Sequence, residues 1–117
     1  MDLITYALLN KKISNLKDTV DNLNIQATEL PEAVGGVNTL DINTEYYLGT
    51  QTGLNLAFPT ASAGDWCFIC FVAGTNATIE LDSNCVGDTN IELETGKTYE
   101  ILATYNNTNW VVSYLCY

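Results

Sequence analysis

The chain has 117 residues, enough for one compact domain with a substantial hydrophobic core. Its 14 acidic residues outnumber its 4 lysines, and with no arginine or histidine the formal net charge is −10. Nucleic acids and anionic lipids bind through cation–phosphate contacts, which this composition cannot supply. Without histidine, the chain also lacks the commonest acid–base catalyst and zinc ligand. We therefore expect no nucleic-acid partner, no cofactor and no enzymatic activity.

The N-terminal apolar run, residues 3–9, is far shorter than the ~20 residues of a membrane-spanning helix. Asp2 precedes it and Lys11 and Lys12 follow it, the reverse of a secretory signal. We expect neither membrane insertion nor export by that route. The four cysteines are too few and too unevenly spaced for a disulfide scaffold, so we expect them to be reduced.

Residues 1–30 carry a heptad pattern. Apolar side chains alternate at spacings of three and four residues, which predicts a helix from about residue 3 to a point between 24 and 29. The a and d positions of this seam are Tyr6, Leu9, Ile13, Leu16, Val20 and Leu23. Its narrow width favours a coiled coil between copies of the chain, and the alternative is an amphipathic helix packed on its own domain.

Residues 31–38, with one proline and paired glycines, predict a linker. From residue 39 to 117 the apolar period becomes two, which predicts about seven half-buried strands in an antiparallel β-sandwich or barrel. In residues 65–72 both alternating faces are apolar, so this strand should be covered on both sides, by a second sheet or a neighbouring subunit. The polar residues 106–109 predict a hairpin turn.

Two motifs invite a metal or redox function. Cys67 and Cys70 have the C-x-x-C spacing, but three residues apart on a strand they point to opposite faces, so we interpret both as buried structural cysteines. Residues 82–88 begin like a calcium loop, but Val86 and Leu93 stand where that pattern requires ligands. We interpret this segment as a solvated loop between strands, with no metal site.

The aromatic side chains leave an alternative open. Some of them, set beside carboxylates or amides, would form a sugar-stacking platform, although most should be core residues because they share strand faces with aliphatic side chains. This set comprises Tyr46, Tyr47, Trp66, Tyr99, Tyr105, Trp110, Tyr114 and Tyr117. An exposed cluster among them is the feature that glycan binding would require.

Several short segments resemble the small head-fibre and minor structural proteins of tailed bacteriophages. They are turn and strand motifs rather than catalytic ones, and they lie at residues 1–8, 44–49, 64–66, 94–101 and 105–110. The resemblance implies an N-terminal helix that serves as a stalk or attachment element, a distal β domain and a trimeric assembly. Ile or Val at a with Leu at d instead favours two-stranded coils, so the β domain should decide the number of chains.

We therefore predict a non-enzymatic virion structural protein, a homotrimeric head fibre or capsid decoration assembled in the host cytoplasm. The alternative is a receptor head that binds a host surface glycan. Leu3, Ile4 and Leu8 lie off the heptad seam in an apolar, lysine-rich end, so we expect them to anchor the chain to the capsid or another virion protein. The opposing expectation is that they fold back onto the β domain.

Overall fold

The computed structural model describes Ile4, Ala7, Leu8 and residues 25–117. These three N-terminal residues are helical, and the rest of the predicted helix, with its entire heptad seam, lies outside the described residues. No helix in the described part of the chain is long and apolar enough to cross a membrane. The described structure is mainly β, with seven strands: β1 Ile25–Ala27, β2 Asn38–Thr39, β3 Thr44–Ala57, β4 Trp66–Leu81, β5 Cys85–Gly87, β6 Thr98–Tyr105 and β7 Trp110–Cys116.

The first four strands form a parallel, solenoid-like stack. β1 and β2 both pair in parallel with β3, at its beginning and at its end, and β3 pairs in parallel with β4. Ile25 lies opposite Thr44, and Thr44 lies opposite Cys67. Each circuit of the chain therefore lays a new strand beside the preceding one in the same direction.

The C-terminal strands extend this stack with antiparallel pairing. β6 pairs antiparallel with β4, β7 pairs antiparallel with β6, and β5 joins the outer edge of β7 in parallel. The strand order is β1-β3-β4-β6-β7-β5. The predicted hairpin at residues 106–109 is confirmed, because Tyr105 lies opposite Trp110 and Asn106 N–H donates to the Asn109 carbonyl over 3.0 Å.

The predicted sandwich or barrel is wrong, because the strands stack in a solenoid-like arrangement. The predicted antiparallel pairing is found for β4 with β6 and for β6 with β7, but not for the first four strands. A period of two indicates which side chains share a face and says nothing about strand direction. β3 and β4 are parallel because residues 58–65 return the chain from the end of β3 to its beginning, where Thr44 lies opposite Cys67. The ladder has register shifts after Tyr47 and after Gln51. Gly49, at φ +21°, lies at the first shift and helps β3 turn the corner.

The β structure also begins earlier than the predicted boundary at residue 39, because β1 and β2 already pair with β3. Residues 31–38, expected to be a linker, form the turn between these two strands. Val34 and Val37 make an antiparallel bridge, and Asn38 Nδ2 donates to the Pro31 carbonyl over 2.6 Å. The proline and glycines therefore shape a corner of the stack.

The core has two parts, one on each face of β4. Cys67, Ile69 and Phe71 point into the main cluster, while Trp66 and Phe68 point to the opposite face. Both faces of this strand are buried, as its sequence predicts. Among the described residues, the cover on the second face is not a second sheet. It is the N-terminal segment, which contributes a buried Ile4.

Candidate functional site

The N-terminal residues meet the β domain in a small apolar site. We call Trp66, Phe68 and Leu102 the cradle, and the described residues Ile4, Ala7 and Leu8 the plug. Phe68 on β4 lies directly opposite Leu102 on β6, so the two side chains form an apolar floor, with Trp66 beside them. Cys70, Tyr114 and Leu115 are partly buried around it and form its rim.

Ile4 is the side chain that fills the cradle. It is 2% exposed, while Ala7 and Leu8 are partly buried against the same cluster. Full burial of an isoleucine stabilises a fold by roughly 1.5–3 kcal/mol. The same contact covers Phe68 and Leu102, which would otherwise expose large apolar surfaces. The plug is therefore part of the domain's packing.

A buried carboxylate borders the cradle on β3. Glu45 lies opposite Phe68 in the strand register and is 1% exposed. Tyr47 Oη donates to Glu45 Oε1 over 2.6 Å, and the Tyr47 ring lies 5.9 Å from that of Phe68. Burial, followed by the neighbouring carboxylate, raises the pKa of Tyr47 well above its usual value. The phenol therefore stays protonated and acts as a hydrogen-bond donor.

Of the residues predicted to form the oligomer seam and the attachment site, the structure describes only Ile4 and Leu8. All six seam residues and Leu3 lie outside the described residues, so oligomerisation through the seam stays a prediction. Ile4 is packed inside the cradle and Leu8 at its edge, the arrangement expected if the segment folds onto the β domain. Attachment to a virion through this end also stays a prediction, and Ile4 would have to leave the cradle to take part in it.

Cys67 and Cys70 lie on opposite faces of β4, as predicted. Cys67 is fully buried, and its thiol donates to the Asp41 carbonyl at 3.3 Å. Burial, with a smaller contribution from nearby carboxylates, raises the pKa of Cys67 to about 12. Cys116, in contrast, is exposed. Within the described part of the chain, no three metal-binding side chains come together.

This difference predicts selective thiol labelling. At pH 8 a thiol-specific reagent should modify Cys116 within minutes and leave Cys67 unmodified until the protein unfolds, because Cys67 is both inaccessible and protonated. Peptide mass spectrometry after timed quenching measures both sites, and labelling in denaturant counts the reduced thiols as the control. Comparable labelling rates in the native protein would contradict the burial of Cys67.

The segment that begins like a calcium loop is a structural brace. Asp82 Oδ2 accepts a hydrogen bond from Phe58 N–H over 2.8 Å, and Oδ1 accepts one from Asn84 N–H over 2.9 Å. The carboxylate thus ties the end of β3 to the turn after β4. An aspartate that satisfies backbone amides in this way is an ordinary turn residue.

The aromatic residues are mostly buried, and three of them use their polar atoms to hold loops. Tyr46 Oη accepts from Asp41 N–H over 2.9 Å, and Trp110 Nε1 donates to the Pro59 carbonyl over 3.3 Å. Tyr99 Oη accepts from the backbone N–H of Glu94 over 2.8 Å. The alternation of apolar residues does not predict these roles. A tyrosine or tryptophan at an inward-facing strand position predicts such a role, because its buried hydroxyl or N–H group requires a hydrogen-bond partner.

Among the described residues, the exposed aromatic side chains are Tyr47, at 39% exposed, and Tyr117, at 61%. Tyr117 Oη is hydrogen-bonded to the Glu100 carboxylate, and Glu100 and Tyr47 both lie opposite Cys70 in the strand register. The part of the chain described by the structure contains no pocket.

No protein-family model, curated protein or solved structure matches this chain.

Proposed function

We propose that this chain is a non-enzymatic structural protein of a bacteriophage particle, a head fibre or capsid decoration. Its N-terminal segment would join the copies into a trimer and attach them, while the acidic β domain faces solvent. The observation that carries the proposal is that polar side-chain atoms of the domain form hydrogen bonds to the backbone of its own loops. Asp82, Tyr46, Tyr99 and Trp110 all hold the chain's own loops in place, which supports a structural role for the domain.

Three of the segments on which the resemblance rests, residues 64–66, 94–101 and 105–110, lie in this framework. Gly64 N–H donates to the Tyr105 carbonyl over 2.8 Å, and Tyr105 N–H donates to the Asp65 carbonyl over 2.8 Å. These bonds join the turn before β4 to the hairpin between β6 and β7. The turn at residues 94–97 closes through a bond from Lys97 N–H to the Glu94 carbonyl over 3.1 Å. These segments form turns and strands, which supports a structural role for them.

The alternative, a receptor head that binds a host glycan, is favoured by one observation. Tyr47 and Tyr117 are exposed on the same face of the sheet, with Glu100 between them. Exposed aromatic side chains beside a carboxylate are the feature that glycan binding would require. Particles carrying both tyrosines changed to serine should adsorb normally to host cells if the chain is only structural, and poorly if it is the receptor head.

Attachment is tested by two matched substitutions in the plug end. Leu3→Ser should reduce incorporation into particles by about tenfold or more, since losing one apolar anchor costs roughly 1.5 kcal/mol or more, and should leave the melting temperature unchanged. Ile4→Ser should instead lower the melting temperature, because Ile4 fills the cradle. Quantitative immunoblotting of purified particles and thermal unfolding measure the two effects.

The control for this experiment is a measurement of the unmodified chain in purified particles. Absence of the unmodified chain from purified particles would contradict the virion proposal. Full incorporation of a correctly assembled variant lacking residues 1–9 would contradict N-terminal attachment while leaving a structural role intact.

A further inference from the structure

We propose that the cradle is an autoinhibitory site, which holds the plug against its own domain until the chain meets the particle. The inference rests on the proposed function, because it concerns the regulation of the attachment proposed there. In the free protein the plug would be docked and the N-terminal end unable to attach. In the attached protein the plug would have left the cradle.

Ile4 has two uses that exclude each other. It is a predicted anchor of attachment, and it is 2% exposed because the cradle encloses it. Leu8, a second predicted anchor, is partly buried against the same cluster. A side chain enclosed in this way offers no surface to another protein. The chain can therefore dock Ile4 in the cradle or attach through it, and cannot do both at once.

The plug can leave the cradle without unfolding the domain. The main hydrophobic cluster lies on the opposite face of β4, and none of the described plug residues belongs to it. The ladders that join β3, β4, β6 and β7 are backbone pairings between those strands and do not involve the plug. Segments with few buried apolar contacts open locally while the rest of a fold stays intact. Among the described plug residues Ile4 alone is buried, so the plug is a segment of this kind.

The size of the inhibition follows from the burial of Ile4. Full burial of an isoleucine favours the docked state over the undocked state by roughly 10-fold to 150-fold. Because only the undocked fraction can attach through Ile4, the apparent affinity for the particle falls by about the same factor. Docking also keeps an apolar segment out of solvent before assembly, where it would promote association between free copies. A binding site on the particle overcomes such a factor by burying one or two additional apolar side chains.

The test weakens the cradle and leaves the plug unchanged. Leu102→Ala removes one half of the cradle floor, and Phe68→Ala removes the other half. The matched control is Leu54→Ala, which truncates a buried leucine of the main cluster. All three variants should lower the melting temperature, but only the two cradle variants should release the plug. Circular dichroism establishes which variants are folded at the temperature of the assay.

Docking is measured by thiol labelling of Ile4→Cys in the full-length chain. Protection is the ratio of the labelling rate in denaturant to the rate in the native protein, and peptide mass spectrometry after timed quenching reports it for each thiol. We expect about fivefold or more at position 4 and close to one at the exposed Cys116. Adding a cradle substitution should abolish the protection, and adding Leu54→Ala should not. No protection at position 4 without a cradle substitution would overturn the proposal, because the plug would then not be docked.

Attachment is measured with the native plug, by quantitative immunoblotting of particles assembled with a limiting supply of the chain. A folded cradle variant should be incorporated about threefold or more above the unmodified chain, and Leu54→Ala should not exceed it. Equal or lower incorporation of a cradle variant whose plug is released would overturn autoinhibition and leave attachment intact. Absence of the unmodified chain from particles would instead contradict the proposed function, and this inference with it.

Discussion

Replacing Trp110 with alanine should lower the free energy of unfolding by about 3–5 kcal/mol, the cost of deleting a large aromatic side chain from a packed core. Trp110 is fully buried, and its ring centroid lies 5.1 Å from that of Phe58 and 5.4 Å from that of Tyr105. Domains of this size are stable by about 5–15 kcal/mol, so the loss is a large fraction of the total. Chemical denaturation followed by circular dichroism measures it.

Two further variants separate packing from hydrogen bonding at this position. Trp110→Phe keeps an aromatic ring against Phe58 and Tyr105 but removes the bond from Nε1 to the Pro59 carbonyl, and it should cost less than the alanine variant. Val111→Ala, at a neighbouring position that is 36% exposed, should change stability by about 0.5 kcal/mol or less. A Trp110→Ala effect as small as that of Val111→Ala would show that this part of the core is misassigned.

Gly87→Ala should also be strongly destabilising, by about 3 kcal/mol or more. Gly87 has φ +88°, where a side chain costs about 1–2 kcal/mol, and an added Cβ would lie 2.6 Å from the Val112 carbonyl oxygen. Because that oxygen belongs to the backbone of β7, the clash can be relieved only by separating β5 from β7. Hydrogen exchange should then accelerate at the Asp88 amide, which bonds to the same oxygen over 2.9 Å.

Gly96→Ala is the matched control. Gly96 has nearly the same backbone conformation, φ +86°, but an added Cβ there would meet nothing within 4 Å. This variant should cost only the conformational strain, about 1–2 kcal/mol. Equal losses for the two variants would mean that the close approach of β5 to β7 does not limit residue 87.

The candidate site was only partly predictable. The apolar composition of residues 65–72 predicts a strand buried on both faces, and the structure confirms it. The same pattern contains no information about what covers the second face, because any apolar partner satisfies it. Ile4 is recognisable in the sequence as apolar and off the heptad seam, but its position in the cradle depends on residues more than 60 positions away.

Local alternation by itself determined which side chains share a face, including the opposite placement of Cys67 and Cys70, and the turn residues determined the hairpin between β6 and β7. These features depend on neighbours close in sequence, so a local pattern is sufficient to predict them. Only the tertiary structure decided that β3 and β4 run parallel, because either direction satisfies the same alternation and the direction depends on where residues 58–65 return the chain. It likewise decided that Tyr46, Tyr99 and Trp110 hold loops, since each bond requires a backbone group that folding brings to a buried ring.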